Sequence, residues 1–130
     1  MNALHPALLV LGVCSNIAWA GPQVVCHYNY GGEDRVVRAT AETDVYAGKP
    51  IEIGSYFLFR PVFDATPGYT AIKLYTYVNR DEGPALIHQA SYAYPQETVS
   101  HGTHGFTGLQ KVYEPVRDSE LIYWCTLENQ

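Results

Sequence analysis

The sequence predicts an all-β domain, an antiparallel two-sheet sandwich in which one disulfide bond joins the first and last strands. The chain is a succession of short β-prone runs separated by turn residues, and no segment keeps a helical period over three turns. Seven such runs within about 105 residues are typical of a two-sheet sandwich. Cys26 and Cys125 lie in the first and the last of these runs.

Turn residues set the limits of each candidate strand. The first strand stops at Gly31-Gly32, the third follows the turn 47–50, the fourth follows 66–68, and the fifth follows 81–84. Val, Ile, Tyr and Phe supply the β propensity of the runs between these turns. The predicted strands are, in order, 23–30, 35–40, 50–63, 70–79, 84–94, 106–113 and 120–127.

Alternation assigns side chains to the two faces of a strand. In the fourth strand Leu74 points to one face and Tyr75 to the other, and in the last strand Cys125 and Trp124 point to opposite faces. The apolar set in each case predicts the face that meets the core.

The two cysteines are predicted to form a structural disulfide, because they have no other partner in an oxidising compartment. A bond from Cys26 to Cys125 closes nearly the whole domain into a loop, worth about 4–5 kcal/mol in the chain-entropy model. Immunoglobulin domains instead carry their cysteines on internal strands around a core Trp. The architecture is therefore immunoglobulin-like only in the loose sense of an antiparallel sandwich.

Residues 1–20 are predicted to be a cleaved signal peptide, followed by a single β-sandwich domain, 21–130. The apolar stretch 7–13 is too short to span a bilayer, and Ala18-Trp19-Ala20 places small residues where a signal peptidase reads them. Lipidation of Cys14 is an alternative, although Val13 precedes it where that processing needs a small residue. We expect a periplasmic or secreted protein.

Charge and motifs exclude several classes of function. The chain has 8 basic and 13 acidic residues, a net charge of −5, and its Lys and Arg are scattered singly, so nucleic acid is not an expected partner. No Gly-x-Ser-x-Gly motif and no nominated carboxylate pair points to hydrolysis, and we expect no enzyme. No second apolar stretch predicts a transmembrane segment in the mature chain.

The segment 100–108 contains three glycines and two histidines and is predicted to be a loop. Neutral imidazole nitrogens on such a loop bind Cu(II), Zn(II) or Ni(II), and Cu or Zn is the cofactor that the sequence suggests. The alternative is a solvent-exposed, Gly-rich turn whose polar groups bond locally. The candidate metal ligands are His88, His101 and His104, with His27 or Glu97 as a fourth.

Three tyrosine pairs have the i, i+2 spacing that places two rings on one face of a strand. They are Tyr28 and Tyr30, Tyr75 and Tyr77, and Tyr92 and Tyr94. On neighbouring strands they would form a patch suited to a protein partner or to the stacking of a sugar. The alternative is that these rings cover the core or stiffen the sheet.

Two functional hypotheses follow. The first is a small exported binding domain that acts on a protein partner through its tyrosine-rich face and Gly-rich loops. The second is a periplasmic carrier or chaperone for copper or zinc that uses the loop histidines. The first is favoured because it requires nothing special of the sequence.

Overall fold

A computed structural model describes residues 12–15, 21–94 and 102–129 of the chain. These ranges contain eight strands and no helix, and thus no helix able to span a membrane. The strands are β1 (Pro22–Tyr30), β2 (Glu33–Glu42), β3 (Ile51–Ile53), β4 (Phe57–Asp64), β5 (Ala71–Val78), β6 (Ala85–Ala93), β7 (Gln110–Glu114) and β8 (Ser119–Asn129). The predicted all-β class is confirmed.

The strands form one sheet in the order β6-β5-β4-β2-β1-β8-β7, with β3 paired to β4. All neighbours are antiparallel except β2 and β4, which run parallel and meet only at Ala41–Phe63 and Glu42–Asp64. This brief contact joins the two halves of the sheet, which curls nearly into a barrel. The strands therefore do not separate clearly into the two sheets of the predicted sandwich.

Two predicted strands differ from those observed. The predicted strand 50–63 is broken into β3 and β4 by a turn at 54–56, where Gly54 adopts a positive φ of 59°. The predicted strand 106–113 starts late, because 102–109 is a series of turns and β7 begins at Gln110.

The core lies on the inner face of the curled sheet. Phe57, Phe59 and Phe63 alternate along β4 and are almost completely buried, as the pleat of a strand requires. They meet Leu121 and Tyr123 of β8 in one hydrophobic cluster, in which the rings of Phe59 and Tyr123 lie 4.9 Å apart. Aromatic residues therefore supply much of the buried apolar surface that stabilises this small domain.

The predicted disulfide between Cys26 and Cys125 is confirmed. Both residues are fully buried and lie opposite each other in β1 and β8, which pair along eight residue positions. On its other side Cys125 accepts a hydrogen bond from Phe106 N (3.0 Å) and donates one to Thr107 Oγ1 (2.9 Å). The backbone groups of Cys125 thus bond away from β1, so its pairing with Cys26 is a non-hydrogen-bonded one, where side chains come closest.

A β-bulge interrupts the pairing of β5 with β6. Thr76 pairs with His88 and Tyr77 with Leu86, which leaves Ile87 without a partner in β5. The extra residue reverses the alternation, so Leu86 is 50% exposed while Ile87 packs against the core. His88 also lies on the inner side, because its ring contacts the buried Tyr123.

Most of the predicted signal peptide, 1–20, lies outside the described residues. Cys14, within the short described stretch 12–15, is exposed and is a free thiol.

Candidate functional site

The three tyrosine pairs do not lie on one face of the sheet. Four of the six rings pack against the core from the inner face, namely Tyr28, Tyr30, Tyr92 and Tyr94. Tyr75 and Tyr77 alternate with buried residues of β5 and therefore lie on the outer face. The pairs are thus divided between two faces, although β5 and β6 are neighbours as the predicted patch required.

Tyr75 and Tyr77 stand side by side on the outer face, half-buried, with ring centroids 6.5 Å apart and planes 27° from parallel. Arg60, opposite Tyr75 in β4, places its guanidinium 5.9 Å from that ring centroid, within cation–π range. Arg60 also donates a hydrogen bond to the Val45 carbonyl, which holds it in place. Leu86, opposite Tyr77, adds exposed apolar surface. We call Arg60, Tyr75, Tyr77 and Leu86 the β5 outer patch.

The first tyrosine pair lines a cavity of about 190 Å³ near the β1–β2 and β3–β4 turns, which we call the turn cavity. Its lining residues are Tyr28, Tyr30, Glu33, Arg35, Glu52, Ile53 and Gly54. Gly54 is essential to its shape, because a Cβ there would lie 2.2 Å from Cε1 of Tyr30. The Tyr30 ring also packs edge-on against Phe57, at 5.6 Å between centroids. This wall of the cavity is therefore held by core packing.

Glu33 and Arg35 form the ion pair of the turn cavity. Glu33 Oε2 accepts hydrogen bonds from Arg35 Nε (3.1 Å) and Nη2 (2.6 Å). The hydrogen bonding to Glu33, together with the negative charge of Glu33, raises the pKa of the Arg35 guanidinium. The exposed side chain of Glu52 lies on the outer face of β3, opposite to the buried Ile53. The Glu33 carboxylate and the Arg35 guanidinium therefore balance each other at the cavity.

The third pair belongs to the aromatic packing around the core. Tyr92 meets Phe106 edge-on at 5.2 Å, and Tyr94 meets Phe63 in the same manner at 4.9 Å. Burial raises the pKa of the Tyr92 hydroxyl. These contacts stabilise the domain, so a binding role for Tyr92 and Tyr94 stays a prediction.

His88 lies inside the curled sheet. Its Nδ1 is 3.4 Å from the hydroxyl of Tyr123, whose pKa is raised mainly by burial and secondarily by Tyr92. The Oγ1 of Thr76, opposite His88, is buried and has no hydrogen-bond partner among the described residues. The imidazole is thus part of a buried polar cluster.

His104 lies on the other side of β8. Its ring meets the indole of Trp124 edge-on at 5.7 Å, while His27 stacks on the same indole at 3.9 Å with planes 6° apart. Because Tyr123 and Trp124 are consecutive residues of β8, their side chains point to opposite faces of the strand. The histidines that contact them therefore lie on opposite sides of β8. His88 and His104 therefore do not converge on one ion.

The predicted metal site is not assembled by the described residues. His101 lies outside them, and no group of three or more His, Cys, Asp or Glu side chains within ranges 12–15, 21–94 and 102–129 is placed to hold a metal. Glu97 also falls outside these ranges. Metal binding through His101 stays a prediction, and His88 is not positioned as its partner beside His104.

Two features of the structure were not predicted from the sequence, the stack of His27 on Trp124 and the turn cavity. The stack of His27 on Trp124 depends on the register of β1 with β8, which places these residues opposite each other. The turn cavity depends on β3, whose existence as a separate strand is signalled only by Gly54 within the predicted strand 50–63. A glycine inside a β-prone run indicates a bend or a close approach, and it was the available signal.

Comparison with known proteins gives no match: no family model, no curated protein and no solved structure is similar to this chain.

Proposed function

We propose that the chain is a small exported domain that binds a protein partner through the β5 outer patch. The observation that carries the proposal is that Tyr75 and Tyr77 stand side by side on the face of β5 that the core does not use. Tyr and Arg are enriched at the energetic centres of protein interfaces, and both occur here beside an apolar side chain. Export is supported by the Cys26–Cys125 disulfide and by the apolar segment before Ala18-Trp19-Ala20.

The rigidity of the patch supports the same function. Tyr side chains supply large contact area at a low cost in conformational entropy, because only two torsions are ordered. The cation–π contact with Tyr75 holds the Arg60 side chain in one position before any partner binds. A surface organised in advance loses less entropy on association.

The experiment uses the double variant Tyr75→Ser/Tyr77→Ser as bait against an extract of the exported protein fraction. The matched control, Tyr69→Ser/Tyr113→Ser, removes two rings that are 76% and 53% exposed outside the patch. A partner retained by the wild type and the control but lost by the Tyr75/Tyr77 variant is the expected result. Denaturant unfolding of each variant shows whether the fold is kept.

Two outcomes count against the proposal. If the Tyr75/Tyr77 variant unfolds, the rings belong to the structural framework, and if it captures the same partner equally well, the binding surface lies elsewhere. Mass analysis of the exported protein tests the other half of the proposal, since the mature chain is expected to begin at Gly21.

A further inference from the structure

We propose that the β5 outer patch joins two copies of this chain face to face in a dimer with two-fold symmetry. This inference rests on the proposed function, because it identifies the protein partner of the same patch as a second copy of the chain. The charges on the sheet face around the patch carry the argument.

The outer face of β3–β6 continues across the strands through their cross-strand pairs. One row of paired residues on this face consists of Glu52, Leu58, Tyr77 and Leu86. The next row contains Arg60 opposite Tyr75. Paired residues point to the same side of a sheet, so Glu52 lies at the rim of the β5 outer patch, one row away from Arg60.

The charges of this face balance one another. The charged residues of β3–β6 are two acidic and two basic ones, namely Glu52, Asp64, Arg60 and Lys73. Because the whole chain has a net charge of −5, its excess of negative charge lies entirely outside these four strands. Two copies of an acidic protein repel each other least where the local net charge is zero. This face is therefore suited to self-association.

Two of the four charges have no ionic partner. Lys73 forms an ion pair with Asp64 (3.2 Å), whereas neither Arg60 nor Glu52 forms one among the described residues. In a two-fold interface residue i of one copy meets residue j of the other, and j meets i. A second copy can thus place its Glu52 opposite Arg60 and its Arg60 opposite Glu52, which satisfies both charges at once.

Apolar side chains lie beside these charges. Leu58 is opposite Glu52 and two residues before Arg60, and Tyr77 follows on the next strand. Leu86, which is 50% exposed, extends the apolar surface.

The size of the face sets the expected affinity. Its four strands span about 14 Å at the usual strand spacing. This is smaller than an interface of standard size, which buries about 800 Å² on each partner. We therefore expect a weak dimer, with a Kd on the order of 0.1–1 mM.

The test is sedimentation equilibrium of the full chain between about 10 µM and 1 mM, a range that brackets this affinity. Glu52→Arg should weaken the dimer about tenfold, because each dimer then brings two pairs of like charges together. Arg60→Glu should weaken it similarly. An equimolar mixture of the two variants should recover the wild-type affinity, since every contact again joins opposite charges.

Two control variants make the same charge changes in the other half of the sheet. Glu120→Arg in β8 and Lys111→Glu in β7 are exposed and should leave the affinity within about twofold of the wild type. Glu52→Arg alone keeps the test decisive if Arg60→Glu does not fold. It also reduces the net negative charge of the chain, so a general charge effect would strengthen the dimer instead of weakening it.

Three results overturn the dimer. They are a wild type that stays monomeric at 1 mM, an affinity that Glu52→Arg does not reduce, and a mixture that associates no better than either folded variant alone. A monomeric chain that captures a different protein, and loses it with Tyr75→Ser/Tyr77→Ser, removes only the dimer and leaves the proposed function in place.

Discussion

At the scale of single residues, Gly105 shows how a glycine in a histidine-containing loop can have a structural purpose. It forms an isolated bridge with Cys125 and has a φ of 60°. A Cβ at this position would lie 2.1 Å from the Cys125 carbonyl oxygen and 2.7 Å from Thr126 Cγ2. The loop therefore approaches β8 as closely as a backbone without a side chain allows.

Replacing Gly105 by Ala should lower the free energy of unfolding by more than about 3 kcal/mol, since it combines a left-handed backbone with a collision against backbone atoms. Gly108 is the matched control. Its φ is 67°, but a Cβ there would meet nothing within 4 Å, so Gly108→Ala should cost only about 1–2 kcal/mol. Urea unfolding of both variants measures the difference. Equal costs would show that the contact with Cys125 contributes nothing beyond backbone conformation.

At the scale of elements, the bulge in β6 decides which side chains of that strand reach the core. Leu86 faces outward beside Tyr77, while Ile87 packs inward. One additional residue in the pairing thus places Leu86 in the β5 outer patch, whereas His88 keeps the register that continues to Ala93.

The bulge leads us to expect that Ile87, and not Leu86, contributes to stability, whereas uninterrupted alternation along β6 leads to the opposite expectation. Ile87→Ala should lower the free energy of unfolding by about 2 kcal/mol, because it removes packed apolar volume. Leu86→Ala should change it by no more than about 0.5 kcal/mol, as expected for an exposed position. Chemical denaturation of the two variants measures both values. A larger loss for Leu86→Ala would mean that β6 pairs with β5 without the bulge.

Sequence patterns predicted those features that depend on one strand alone. The two faces of β5 are as alternation predicts, because no extra residue interrupts it. The faces of β6 near residue 87 could not be predicted, since the bulge is defined only by pairing with β5. In the same way, the i, i+2 spacing shows that Tyr28 and Tyr30 share a face but not that this face is the inner one. Long-range register decides both cases.

At the scale of the whole molecule, the backbone pairing that joins the two halves of the nearly closed sheet is short. Beyond the core, the parallel pairing of β2 with β4 covers only two residue pairs, and the hydrogen bond from Ala65 N to the Glu42 carbonyl (2.8 Å) extends it by one step. Within the other half, the disulfide links β1 to β8 covalently. We expect this bond to contribute a large part of the net stability of so small a domain.

Replacing Cys26 and Cys125 together by Ala should lower the free energy of unfolding by about 2–5 kcal/mol, the usual range for small disulfide-bonded domains. Cys14→Ala in the full-length chain is the control, because Cys14 is exposed and free. It should leave the stability within about 0.5 kcal/mol of the wild type. Thermal or denaturant unfolding of the oxidised proteins provides the comparison. If the double variant were as stable as the control, packing around β1 and β8 would be sufficient without the bond.

The position of the disulfide also determines how the domain transmits mechanical tension. Pro22 and Asn129 lie opposite each other at one end of the β1–β8 pair, and the cysteines follow four residues inward on each strand. A pull on these two ends passes from strand to strand through the sulfur atoms, and the 99-residue separation between them is bypassed. Reduction would free about 350 Å of chain to extend. The oxidised domain is therefore a short, stiff connection between its two ends, and the reduced chain is a long, extensible one.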